Sequence, residues 1–159
     1  MKPIEIPFAH PEKVLAGAQF GDAYQVTVEG QRLDPAEAAR RAVYGAPSWI
    51  NVLLRLRTIL VKPFGLKPGE NPAPEKATAG NIGIFPILDQ MPHRLTLGMN
   101  DKHLDFRLLV DVEDLGGGAQ SVTASTVVKT HNALGRIYLI IVKPFHRIIV
   151  PAMLAKVCG

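Results

Sequence analysis

Between Ile82 and Thr130 the chain alternates apolar and polar residues in four successive runs, and alternation with a period of two is the pattern of a half-buried β-strand. The runs fall at Ile82 to Leu88, Arg94 to Met99, His103 to Glu113 and Gln120 to Thr130. Asn100, Asp101 and Lys102 separate two of them, and Asp114 to Gly118 separate two more, with Gly116, Gly117 and Gly118 free to take positive φ without steric cost. Parallel strands need crossovers of a dozen or more residues, so links this short predict an antiparallel meander. An earlier run, Tyr24 to Val28, sets Tyr24, Val26 and Val28 against Gln25 and Thr27 and adds a fifth strand, which Gly30 ends.

Helical signals flank this meander. Asp34, Pro35 and Glu37 supply an N-cap, a proline at the first helical position and an acid in the first turn, and Ala38 to Tyr44 continue as good helix formers. Gly45 and Pro47 break that helix. A second starts at Pro47 or Ser48, with Trp49, Val52, Leu53, Leu56, Ile59, Leu60 and Phe64 recurring at helical spacing. Residues 65–80 are rich in Pro and Gly and predict an irregular flap. Asn132 is placed to cap a long helix reaching about Lys156. Pro144 and Pro151 interrupt it about 700° apart, so kinks at both would bend it one way. A sheet with one apolar face needs a cover, and the last helix is the largest available. The fold class is therefore α+β: a curved antiparallel sheet wrapped around a long C-terminal helix, with two short helices after the first strand. Residues 1–22, with three prolines, read as an extended N-terminal arm.

A length of 159 residues fits one domain, 1–159, yet 47% of the residues are hydrophobic. A membrane span does not absorb that surplus comfortably: the most apolar stretch, Ile137 to Val142, runs into Lys143 and Arg147, and cations near a span's centre cost about 2.5–3.5 kcal/mol each. A buried or interfacial helix fits better. The formal charge of +4 comes without a Lys/Arg run or an aromatic RNA-binding motif, so no nucleic-acid partner is expected. Cys158, the single cysteine, leaves no internal disulfide, and Pro3, Glu5, Pro7 and Glu12 occupy the place of a signal peptide's apolar core. Both point to the cytoplasm.

No P-loop, dinucleotide fingerprint, nucleophile elbow or zinc-protease motif is present, so no cofactor is expected. The five histidines are scattered, so no metal is expected either. His103, Asp105 and Arg107 alternate onto one face of their strand, about 7 Å apart, as a base, an acid and a fixed cation. If Leu104, Phe106 and Leu108 face the helix, that triplet only solvates the outer face. The opposite orientation puts it at a cavity mouth, where Arg107 would hold a carboxylate or phosphate. A second group, His131, Asn132, Arg136 and Tyr138, lies where the last strand turns into the helix. Arg136, Lys143 and Arg147 follow one helical stripe; residues 129–159 carry five Lys/Arg and no acid, and residues 45–67 carry four and none.

The element order resembles the helix-grip fold of the START-like (SRPBCC) superfamily, which includes lipid-transfer domains, plant pathogenesis-related proteins and polyketide cyclases. His103 to Arg107, His131 to Tyr138 and Pro144 to Val150 look like the signature of a bacterial domain-of-unknown-function family whose members also occur fused to short-chain-dehydrogenase-like domains. The likeness covers most of the chain from about residue 22. Five strands stand against the superfamily's seven, so the arm or the 65–80 region must supply others, or the sheet is reduced. The resemblance implies a fold and a cavity but no reaction. With the apolar surplus, it leads to a non-enzymatic domain that binds a hydrophobic or amphipathic small molecule. The apolar sheet face and Tyr138, Ile141, Phe145 and Ile149 would line the site, with Arg107 and Arg136 at its polar edge. Two alternatives remain open: a cyclase- or hydratase-like enzyme using His103, Asp105 and His131, and a module that makes transient contact with an anionic membrane or a protein through the basic helix face.

Overall fold

The computed structural model describes residues 1–64 and 80–159. The flap expected at 65–80 lies, apart from Gly80, outside the described residues. Seven strands form one antiparallel sheet: β1 (Ile4–Ile6), β2 (Phe20–Glu29), β3 (Asn81–Ile82), β4 (Phe85–Gln90), β5 (Arg94–Asn100), β6 (Leu104–Gly116) and β7 (Ala119–Thr130). Their spatial order is β1-β2-β7-β6-β5-β4-β3. Strands β4 to β7 are the expected meander, and β2 closes onto β7 from the other side. The helices are α1 (Pro35–Tyr44), α2 (Ser48–Val61) and α3 (Ala133–Leu154), and a 3-10 turn at Ala155–Cys158 follows α3. The fold is α+β with a curved sheet and a long C-terminal helix.

Two strands beyond the expected five have local causes. Within the arm, Ile4 to Ile6 pair with Ala23 to Gln25 and form the sheet edge. The rest of the arm packs on the sheet as well: a Cβ on Gly21 would sit 2.7 Å from the Phe8 ring and 2.8 Å from Pro11, so glycine is what lets the arm lie there. Residues 82–88 are not one strand. Gly83, at φ 60°, turns the chain back so that Asn81 and Ile82 pair with Pro86 and Phe85.

Register decides which side chains face the helices. Leu108, Val110 and Val112 of β6 lie opposite Thr126, Ala124 and Val122 of β7, which lie opposite Asp22, Tyr24 and Val26 of β2. This face meets α1, whose Ala36, Ala38 and Ala39 are buried against it, and Leu154 and Val157 at the end of the chain. Alanine brings the α1 backbone close to the sheet, while each fully buried Val or Leu opposite stabilises the fold by about 1.5–3 kcal/mol. The Asp34 carboxylate accepts a hydrogen bond from the Glu37 amide at 2.8 Å, which is the expected N-cap. Gln120, buried in β7, pins the preceding loop by accepting from the Leu33 amide (2.8 Å) and donating to the Leu33 carbonyl (3.3 Å).

α3 covers the sheet less completely than its length suggests. It runs unbroken through Pro144 and Pro151, and of its 22 residues only Gly135 and Leu154 are buried. α2 packs against α3. The entry of α3 is fixed by Asn132, whose side-chain oxygen accepts from the Gly135 amide at 3.0 Å. A Cβ on Gly135 would fall 2.0 Å from the His103 carbonyl oxygen, so glycine is required for this approach.

Candidate functional site

The alternation of β2, continued back from Val28, Val26 and Tyr24, places Asp22 and Phe20 on the apolar, helix-facing side. Asp22 is 7% exposed there. Its carboxylate meets the imidazole of His146 on α3, with Nε2 at 3.1 Å from Oδ1 and 3.0 Å from Oδ2. Phe20 packs edge-on to the His146 ring, with centroids 6.1 Å apart, and the Lys143 ammonium stands 4.9 Å above the Phe20 ring. Beside Asp22 in register is Thr126, 9% exposed, whose hydroxyl is buried without a hydrogen-bond partner. Hiding an unpaired hydroxyl costs about 1–3 kcal/mol by mutational measures, so this one stands ready for a ligand or water. Burial, reinforced by the negative charge of Asp22, pushes the Tyr24 phenol above its ordinary pKa.

An apolar cleft of about 50 Å³ lies in the same sheet–helix layer, and none of these polar residues lines it. Ala38, Ala39 and Ala42 of α1 form one wall, sheet residues including Leu108 and Ala124 form its floor, and Val150, Met153 and Leu154 of α3 close it. The junction follows from register: Leu108 is directly opposite Thr126 on β6, Ala124 is two residues away on the same face of β7, and Val150 is one helical turn past His146. The layer is thus amphipathic along its length, with a carboxylate, an imidazole and an orphaned hydroxyl neighbouring the hydrocarbon-lined cleft. The present volume is well under the roughly 300–1,000 Å³ of small-molecule pockets, so a molecule of that size would require α3 to move outward.

The sequence-predicted residues form other arrangements. Leu108, Val110 and Val112 face the helices, so Asp105 and Arg107 lie on the opposite face of the sheet. His103 precedes β6 instead of sharing that face, and its Nδ1 is 3.0 Å from the Asn132 amide nitrogen. His131 Nε2 is 2.9 Å from Asp105 Oδ1. The three candidates for acid–base work are thus divided between a His131–Asp105 pair and a His103–Asn132 contact beside the start of α3. Arg107 donates from Nη1 to Asn100 Oδ1 and to the Phe106 carbonyl, both at 2.8 Å. Desolvation lowers its pKa, with the Asp105 charge opposing. Arg136 is exposed, whereas Tyr138, Ile141, Phe145 and Ile149 are part-buried on α3. The cleft instead takes its α3 wall from Val150, Met153 and Leu154.

Sequence reasoning missed Asp22, Thr126 and His146. A signal for two of them was present, since each is a polar residue at an apolar position of an alternating strand. His146 has no such local mark.

The family model described as Protein of unknown function (DUF2867) matches residues 14–153. No curated protein matches the chain. Among solved structures, a crystal structure of a conserved protein from Geobacillus kaustophilus aligns with 86% of this chain and 91% of its own, at 13% identity and a TM-score of 0.40.

Proposed function

We propose that this chain, which belongs to the DUF2867 family of proteins of unknown function, binds an amphipathic small molecule between its sheet and its C-terminal helix. The observation that carries the reading is the unpartnered Thr126 hydroxyl beside the Asp22–His146 pair, one position along the sheet from Leu108 and Ala124 of a cleft lined wholly by apolar side chains. The polar end of the ligand, a hydroxyl or carboxylic acid, hydrogen-bonds Thr126 and meets His146. Its hydrocarbon part lies along Leu108, Ala124 and Val150 and displaces the part-buried middle of α3. The resemblance to helix-grip proteins supports a ligand in this layer.

Displacement of a fluorescent fatty acid tests the reading. Long-chain acids and alcohols should compete, an alkane of the same length should not, and Thr126→Val should weaken binding by roughly two- to tenfold, the worth of one hydrogen bond. The proposal fails if no amphiphile binds, or if Thr126→Val binds as tightly as the parent.

A second reading rests on the same pair. A carboxylate holding an imidazole is the arrangement of a general base, and His146 lies one helical turn from Val150 of the cleft wall. Under this reading His146→Gln retains ligand binding but abolishes turnover of the bound molecule, and unchanged turnover rejects it.

A further inference from the structure

Apart from one stripe of cations and His146, α3 is apolar, and a helix this apolar is normally buried, either in a large core or in lipid. Here the stretch Ala133–Cys158 contains an 18-residue window with a mean hydropathy of 1.6, long and apolar enough to cross a membrane by length and composition, yet most of its residues are only part-buried and several are exposed. Its outward face carries Ile137, Ile140, Pro144 and Ile148, which span about 80° on a 3.6-residue helix. Ile140, at 69% exposure, lies at one end of that arc and is the most exposed large apolar side chain among the described residues. Arg136 and Arg147, both exposed, follow one edge of the stripe within about 40° of Ile140, and Lys143, stacked over Phe20, lies just beyond them. α2, packed against α3, exposes Trp49, Val52, Leu56 and Ile59, with Arg55 beside them.

The charge of these two segments has one sign. Residues 45–67 and 129–159 hold four and five Lys/Arg and no acid, so all 14 Asp and Glu of the chain lie elsewhere. A protein partner is not specified by this face, because its apolar groups form a broad, shallow stripe edged by cations. An anionic bilayer is: its headgroups meet the cations while its acyl boundary takes up the isoleucines. We infer that the outward faces of α3 and α2 form a docking surface for anionic membranes. The helix lies on the bilayer instead of spanning it, because the Asp22–His146 contact ties its middle to the sheet and Lys143 and Arg147 flank that point. The inference does not depend on occupancy of the cleft, since a variant defective there, Thr126→Val, retains the whole outward face.

Flotation of the full chain with phosphatidylcholine vesicles, with and without phosphatidylglycerol, tests it. The chain should float with the anionic vesicles only and be released by salt at about 1 M, where screening shortens to roughly 3 Å. Each cation near such a surface contributes roughly fivefold to binding, so R136Q combined with R147Q should weaken association by about 25-fold. Ile140→Asn should also weaken it. All three positions are exposed, and an unchanged thermal midpoint confirms that the variants fold. Four results would overturn the inference: no flotation, equal flotation with neutral vesicles, retention through both salt and alkaline carbonate as for a true span, or a soluble dimer that Ile140→Asn dissociates and that ignores lipid.

Discussion

Replacing Thr126 by Val should make the empty protein more stable and the liganded one less so. The hydroxyl is buried between Asp22 and Leu108 in register and has no partner. Valine keeps the branched shape and substitutes a methyl group, which the neighbouring Leu108 and Ala124 accept. Removing a buried, unpaired hydroxyl returns its desolvation cost, about 1–3 kcal/mol. For a domain of this size that raises the thermal midpoint by about 2–4 °C for each kcal/mol. Urea unfolding gives the same quantity as a higher midpoint at unchanged slope. Thr126→Ser serves as the control: it keeps the hydroxyl and loses a methyl group, so it should cost roughly 1 kcal/mol. Both measurements use protein stripped of ligand by organic extraction. A Thr126→Val protein destabilised by about 1 kcal/mol or more would show that the hydroxyl already has a structural partner, and the reasoning that makes it a ligand contact would fail.

Three other perturbations probe the same frame. His146→Leu leaves the buried Asp22 carboxyl without its partner and should cost about 1–3 kcal/mol in urea unfolding; undiminished stability would mean the pair holds nothing together. Gly135→Ala, a change that gains up to about 1 kcal/mol inside an ordinary helix, should instead lose about 1–3 kcal/mol because its methyl group meets the His103 carbonyl, and a gain would refute that approach. The Asp114 carboxyl is held below its ordinary value of 3.8 by the Gly116 amide and then by Arg32. A folded-state pKa below the unfolded one adds stability above the unfolded value and loses it as pH falls through the folded value. The wild type should therefore lose stability relative to Asp114→Asn as pH drops below about 3.8, and parallel pH profiles would contradict this.

The sequence was most legible where neighbours in the chain are neighbours in space. The last three strands of the meander, the Asp34 cap and the Asn132 cap each depend on a few consecutive residues, and each stands within a few residues of where its pattern placed it. The three residues Ile4, Glu5 and Ile6 are too few to show a period, and only pairing with Ala23 to Gln25 makes them a strand. The apolar–polar alternation from Ile82 to Leu88 concealed a turn at Gly83, where backbone freedom outweighed pattern. The polar group beside the cleft was half visible. Extending β2's alternation by one step reaches Asp22 on the wrong face for an acid, and the same parity marks Thr126. His146 is 124 residues from Asp22, so its part in the site depends on how α3 crosses the sheet. Tyr138, Ile141, Phe145 and Ile149 do not form the cleft wall because they lie on another side of α3 from Val150, Met153 and Leu154, with Val150 about 100° round the helix from Ile149.

Native mass spectrometry of the freshly purified full chain, wild type beside Thr126→Val, tests the central claim most directly. The account predicts a wild-type population carrying one small amphiphile, released as a molecule with a single polar end group, and a reduced adduct in the variant. A wild-type protein that carries none and takes up no long-chain acid or alcohol when these are added would contradict it.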